Sequence, residues 1–153
     1  IYSEDCYNYG LGVYYFYNKD FTKATDHLNL VYEVTKADIY YEINRRFILI
    51  RSIYEQNNQF NIIETIKVDK EWIKRQKSIS KEQKTGYLTS IDLLVKLYNL
   101  RKGIDDDIHN KGKVILPKRQ NQLDTTKVIF NNASTLMAKD WLNEKIEALQ
   151  AKI

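Results

Sequence analysis

Asp105, Asp106 and Asp107 form the densest run of metal-seeking side chains in this 153-residue chain. Such a run suits calcium only if the loop turns sharply at a glycine and closes on a bidentate glutamate. Asn110 stands where that glycine would be, and no glutamate follows at the closing position. Zinc chemistry fares no better. His27 and His109 are far apart, Cys6 is the single cysteine, and no His-x3-His or Cys-x2-Cys spacing occurs. There is no phosphate-cradling glycine loop, no nucleophile elbow, and no pair of acids placed on one helix face with a chemical role. These residues predict no enzyme, no cofactor and no metal.

Binding chemistry is better supplied. Twelve tyrosines bring large contact areas with a hydroxyl at the tip. Those at Tyr7 and Tyr15 flank Leu11 in steps of four and predict a buried stripe, whereas Tyr9, Val13, Phe16 and Tyr17 fall off it. A second candidate is Lys67 to Lys84, where seven Lys or Arg residues stand against Asp69, Glu71 and Glu82 with Trp72 nearby. Basic charge beside a ring suits a nucleic-acid strand. Interspersed acids at helical spacing are equally what a solvated helix face looks like, and that reading is preferred.

Few residues interrupt the elements that must carry these groups. One proline and five glycines leave little punctuation for a many-turned β-fold. A hydrophobic fraction of 43% with 29% charge is globular, and no apolar run reaches the roughly 18 residues of a membrane span. The length suits one domain over 1–153. Net charge of +4 serves solubility as readily as a polyanionic partner. A lone cysteine and no signal peptide make a cytoplasmic location the expectation.

Periodicity predicts about six to seven helices. The first runs from about Asp5 to Asn18, and Asn18-Lys19-Asp20 turns into a second with Ala24, Leu28 and Val31 buried and an end near Lys36. A third carries Ile43, Phe47, Ile50 and Tyr54 and ends at Gln56-Asn57-Asn58-Gln59. A fourth starts at Phe60 and buries Ile63, Ile66 and Ile73. Ser80-Lys81-Glu82-Gln83 has capping-box form and opens a fifth, with Tyr87, Ile91, Leu94 and Tyr98 in step. Residues 103–116, with two glycines and the triple acid, read as an irregular loop. Pro117 fits the first turn of a sixth helix ending near Asn131-Asn132, and Leu142, Ile146, Leu149 and Ile153 mark the last.

Tyr15 to Phe21 and Tyr54 to Phe60 are each six residues apart and each joins two helices, which gives a repeating hairpin. Within the first hairpin, Leu11-Gly12, Tyr15, Ala24 and Leu28 resemble the tetratricopeptide (TPR) pattern, with Asn8 in place of tryptophan, Leu28 in place of the aromatic and Lys36 in place of the closing proline. Gly12 and Ala24 let two helices approach, and Tyr15 and Leu28 fill the space around them. The second hairpin departs further, with Arg51 at the glycine position and Ile63 at the alanine position. A third is half visible, with Leu94 and Tyr98 in register and Asp107 at the alanine position. Tyr7-Asn8-Tyr9, Trp72-Ile73-Lys74-Arg75 and Lys139-Asp140-Trp141-Leu142 also resemble the C-terminal part of larger bacterial TPR-like proteins.

The resemblance implies an all-α fold, a right-handed stack of antiparallel helical hairpins, and a fragment with further hairpins before Ile1. It implies a protein-interaction or scaffolding role with a protein or peptide partner, and no particular activity. In its register the inner faces carry Tyr9 and Val13, then Arg45, Ile48, Ser52 and Glu55. With Phe16 and Tyr17 these are the candidate binding residues. Chaperone-tail capture is not implied, because Tyr9 and Val13 replace the lysine and asparagine clamp of that mode. Nucleic acid held by 67–84 is the alternative partner and the less favoured one.

Overall fold

The computed structural model describes residues 2–32, 36–57 and 62–153, and the described residues form seven helices and no strand. They are α1 (Tyr2–Tyr17), α2 (Phe21–Asn29), α3 (Ile39–Glu55), α4 (Ile62–Arg75), α5 (Lys81–Lys111), α6 (Leu116–Asn132) and α7 (Lys139–Gln150). The expected starting residue Phe60, and Asn58 and Gln59 before it, lie outside the described residues. The chain divides into two compact units, 1–71 and 72–153, where one domain was expected.

In the first unit α1, α2 and α3 pack against one another in all three pairs. The α1–α2 turn is made by Lys19 at φ 62°, and Asp20 caps α2 by accepting from the Lys23 N–H at 3.2 Å. Gly12 is where the two helices meet. A Cβ built there would stand 2.6 Å from Leu28 Cγ, so the missing side chain is the space that Leu28 fills. Ala24 and Leu28 are fully buried, as the hairpin reading expects.

The buried face of α1 is not the expected one. Asp5, Asn8, Gly12 and Phe16 face inward, whereas Tyr7 is 66% exposed and Leu11 and Tyr15 are half-buried. The helix is turned by roughly 100° from the hydrophobic stripe, one residue's worth of rotation. Polar bonds hold it there. The Tyr32 N–H donates to Asp5 Oδ2 at 3.1 Å, and His27 Nδ1 donates to Asn8 Oδ1 at 2.9 Å while Tyr15 stacks on the imidazole. Helix α2 also stops at Asn29, well before Lys36. In α4, Ile62, Ile66, Asp69 and Ile73 are buried, and Ile63, expected inside, is 40% exposed. Ile63 therefore does not take the buried alanine position that the second hairpin register gave it.

In the second unit α5, α6 and α7 likewise pack in all three pairs. Ser80 accepts from the Gln83 N–H at 3.1 Å and Gln83 Oε1 accepts from the Ser80 N–H at 3.3 Å, the capping box read from sequence. The expected loop at 103–116 is corrected: α5 continues to Lys111, and only Gly112 to Ile115 connect it to α6. The third half-visible hairpin accordingly lies inside one helix. Leu93, Leu97, Leu100, Ile104 and Asp107 keep the buried face in steps of four and three. Gly112 then ends the helix at φ 69° with its N–H on the Ile108 carbonyl.

What replaces hydrophobic packing near the end of α5 is an ion pair. Arg119 on α6 donates through Nε and Nη2 to the two carboxylate oxygens of Asp107 at 2.7 and 2.8 Å, and the Ile115 N–H donates to Asp107 Oδ2 at 3.1 Å. The Arg119 bonds hold the Asp107 carboxyl at about 2, against the opposing effect of burial and with help from the Ile115 bond. Gly103 makes the room: a Cβ there would lie 2.4 Å from Arg119 Nη1. At the other end of α5, Ser90 Oγ accepts from the Met137 N–H at 2.8 Å and ties the α6–α7 connection to the helix.

Candidate binding face of the first unit

The candidate residues lie on α1 and α3, and folding sorts them by exposure. Phe16, Ile48 and Ser52 are buried, with Ser52 Oγ donating to the Ile48 carbonyl at 2.9 Å. They are core, because α3 uses Ile43, Phe47, Ile50 and Tyr54 inward and is covered on a second side as well. Arg45 is half-buried and engaged. It donates to both Glu42 oxygens at 2.8 and 2.9 Å and to the Leu28 carbonyl at 3.3 Å, fastening α3 to the end of α2. Burial raises the Glu42 carboxyl, but the bonds and charges of Arg45 and Arg46 outweigh it, and its pKa is lowered. Arg46 extends this network to Asp69 of α4 at 2.6 Å.

The remaining four, Tyr9, Val13, Tyr17 and Glu55, keep accessible surface. Tyr9, Val13 and Tyr17 follow one another in steps of four and so form a single line along α1. Tyr9 packs edge-on against Tyr41 of α3 at 5.1 Å between centroids, and Tyr17 lies edge-on to Phe16. Burial, and secondarily Tyr41, raises the Tyr9 phenol, so the hydroxyl stays neutral.

Behind this line sits a residue that the spacing of candidates did not pick out as a support. Arg51 is buried with its guanidinium 4.7 Å from the Phe16 ring and 5.2 Å from the Phe47 ring, and its Nε donates to the Phe47 carbonyl at 3.4 Å. Burial lowers its pKa to about 10, offset in part by Tyr17, Tyr9 and Glu55. It remains a cation at neutral pH.

Next to the line lies a further strip of α1 missed in sequence. Tyr7 and Tyr14, with Gly10 between them, turn outward beside Tyr17, which is 72% exposed, and Tyr14 is 59% exposed. A Cβ added at Gly10 would meet nothing within 4 Å. The only available sequence signal was Gly10 itself, a helix-weakening residue with no packing reason. Among the described residues no group of three or more His, Cys, Asp or Glu is placed to hold a metal, and no helix is long and apolar enough to cross a membrane.

No protein-family model matches the chain, and neither a curated protein nor a solved structure matches it.

Proposed function

We propose that this chain is a TPR-like interaction module that binds a protein or peptide partner across the outward face of α1, with no catalytic role. The observation that carries the reading is the exposed line of Tyr7, Tyr14 and Tyr17 around Gly10. Three large amphipathic rings stand in solvent on one side of a helix whose other side is already packed. Tyrosine gives contact area at low entropic cost, and a glycine among them lets a second backbone come close. An amphipathic helix laid across α1 uses both. Tyr9 and Val13 form the edge of the same surface, and Glu55 and Arg51 supply charge behind it. The close fit of Gly12 against Leu28 and Ala24 supports the hairpin part of the reading.

Gly10→Leu tests the proposal without disturbing the free unit, since the added side chain enters open space. The variant should keep its helical circular dichroism with a thermal midpoint no lower than the parent's, and should lose the partners that the parent chain retains in quantitative co-purification from its source cells. Tyr14→Ala should lose the same partners. An unchanged partner set with both variants would sink the assignment of this face.

A further inference from the structure

Charge is divided unevenly along the chain. Residues 1–71 hold eight Lys or Arg against eleven Asp or Glu, net −3, while residues 72–153 hold sixteen against nine, net +7. The modest total of +4 therefore conceals a strongly basic second unit. Five of its cations, Lys74, Arg75, Lys77, Lys81 and Lys84, occur within eleven residues where α4 ends and α5 begins. Lys84 Nζ donates to the Lys74 carbonyl at 3.3 Å, which draws the last turn of α4 and the first turn of α5 into one corner. Asp69 is buried against Arg46 in the first unit, and between residues 74 and 84 the exposed Glu82, which accepts from Thr135 Oγ at 3.4 Å, is the one acid against the five cations.

Folding accounts for part of the cluster. Lys74 and Arg75 occupy the last turn of α4, where cations complement the carbonyl end, and Lys84 serves the same end. Lys77 and Lys81 have no such role. Lys77 is exposed in the connection, and Lys81 opens α5 at the helix end that disfavours cations. Beside them is a cleft of about 560 Å³ lined by Lys81, Glu82, Thr85, Thr89, Asn132 and Ser134 among others. Its amide, hydroxyl and carboxylate groups offer both donors and acceptors. The exposed large hydrophobics of this unit, Ile108, Leu116 and Val128, all lie outside the corner, so it lacks the apolar face that seats a helix in lipid.

We infer that this corner binds single-stranded nucleic acid. Phosphates lie along Arg75, Lys77 and Lys81, and an unpaired base presents its edge to the cleft. A duplex keeps those edges paired, and an acidic polypeptide has no base to place there.

The test is fluorescence anisotropy of the full chain with labelled RNA and DNA strands of about 12 nucleotides, within the usual footprint of single-strand sites. Each phosphate contact adds about −0.7 to the slope of log affinity against log salt. Contacts at Arg75, Lys77 and Lys81 therefore predict a slope of about −2, or roughly 20-fold weaker binding on going from about 50 to about 200 mM salt. Lys77→Ala/Lys81→Ala should reduce the slope to about −0.7 with circular dichroism unchanged. Lys102→Ala/Lys118→Ala, exposed bases elsewhere in the same unit, should leave it unaltered. The inference is overturned by no binding at the lowest salt or by a slope that ignores Lys77 and Lys81. It is also overturned if a duplex, polyglutamate or phosphatidylserine vesicles bind as tightly as the strand.

Discussion

Arg51 occupies a place where the repeat pattern asks for glycine, and its surroundings show what a large cation does there. Its alkyl stem and guanidinium fill the space between Phe16 and Phe47, so volume matters more than charge. Arg51→Met should hold stability within about 1 kcal/mol in urea denaturation, because a buried cation replaced by an apolar residue of similar size costs little. Arg51→Ala should cost about 2–4 kcal/mol through the cavity it leaves. Asp107 behaves oppositely, since its charge is what the structure uses. Its folded pKa of about 2 lies below the unfolded aspartate value of about 3.9, so its stabilisation is complete above the unfolded value and is lost as pH falls through the folded one. The thermal midpoint should fall between about pH 4 and pH 2 in the parent chain, and Asp107→Asn should flatten that stretch of the curve. Neither role was readable beforehand. Arg51 stood out in sequence only as a misfit to a repeat, and Asp107 as a misfit and as one of a run of acids, because hydrophobic periodicity says nothing about a polar residue whose partner comes from another helix.

Among the helices, legibility followed the chemistry of the buried face. Helices α3 and α7 bury apolar side chains in regular steps, and the residues read as their inward stripes are buried, except that Ile153 lies beyond the end of α7 at Gln150. The last nine residues of α5, from Gly103, bury Gly103, Ile104 and Asp107, a face with one hydrophobe in three, and they read as a loop for that reason. The face of α1 was misread for the complementary reason, with tyrosines outside and Asp5, Asn8 and Gly12 within. Three glycines separate these effects cleanly. Gly10→Ala should stabilise the chain by about 0.5–1 kcal/mol, the usual gain from replacing an exposed helical glycine. Gly12→Ala should destabilise it, since the new Cβ would collide with Leu28, a fully buried side chain. Gly103→Ala should lower the denaturation midpoint despite a propensity gain of about 1 kcal/mol, because the new methyl displaces the Arg119 guanidinium. Chemical denaturation of the three single variants checks the order.

For the whole molecule, the sequence predicted an all-helical chain and seven described helices are found. The division at Glu71 was invisible, because α4 runs through it without a break in periodicity or composition. Net charge hid the same boundary by averaging over it. At the isoelectric point near pH 9.0 the chain should still be retained by a cation exchanger at low salt, because the excess of bases beyond residue 71 survives when the total is zero. Lys77→Glu/Lys81→Glu should elute at markedly lower salt, and equal elution would show that the retained surface lies elsewhere.

The inward turn of Asp5 and Asn8 also decides which side of α1 is offered outward. The helix has two apolar stripes one residue's rotation apart, one through Tyr7, Leu11 and Tyr15 and one through Gly12 and Phe16, and hydrophobicity alone prefers the first. The bonds from Tyr32 and His27 act as a detent for the second, so Asp5→Ala with Asn8→Ala removes them without adding much apolar area to the inward face and weakens the hold that keeps the tyrosines outside.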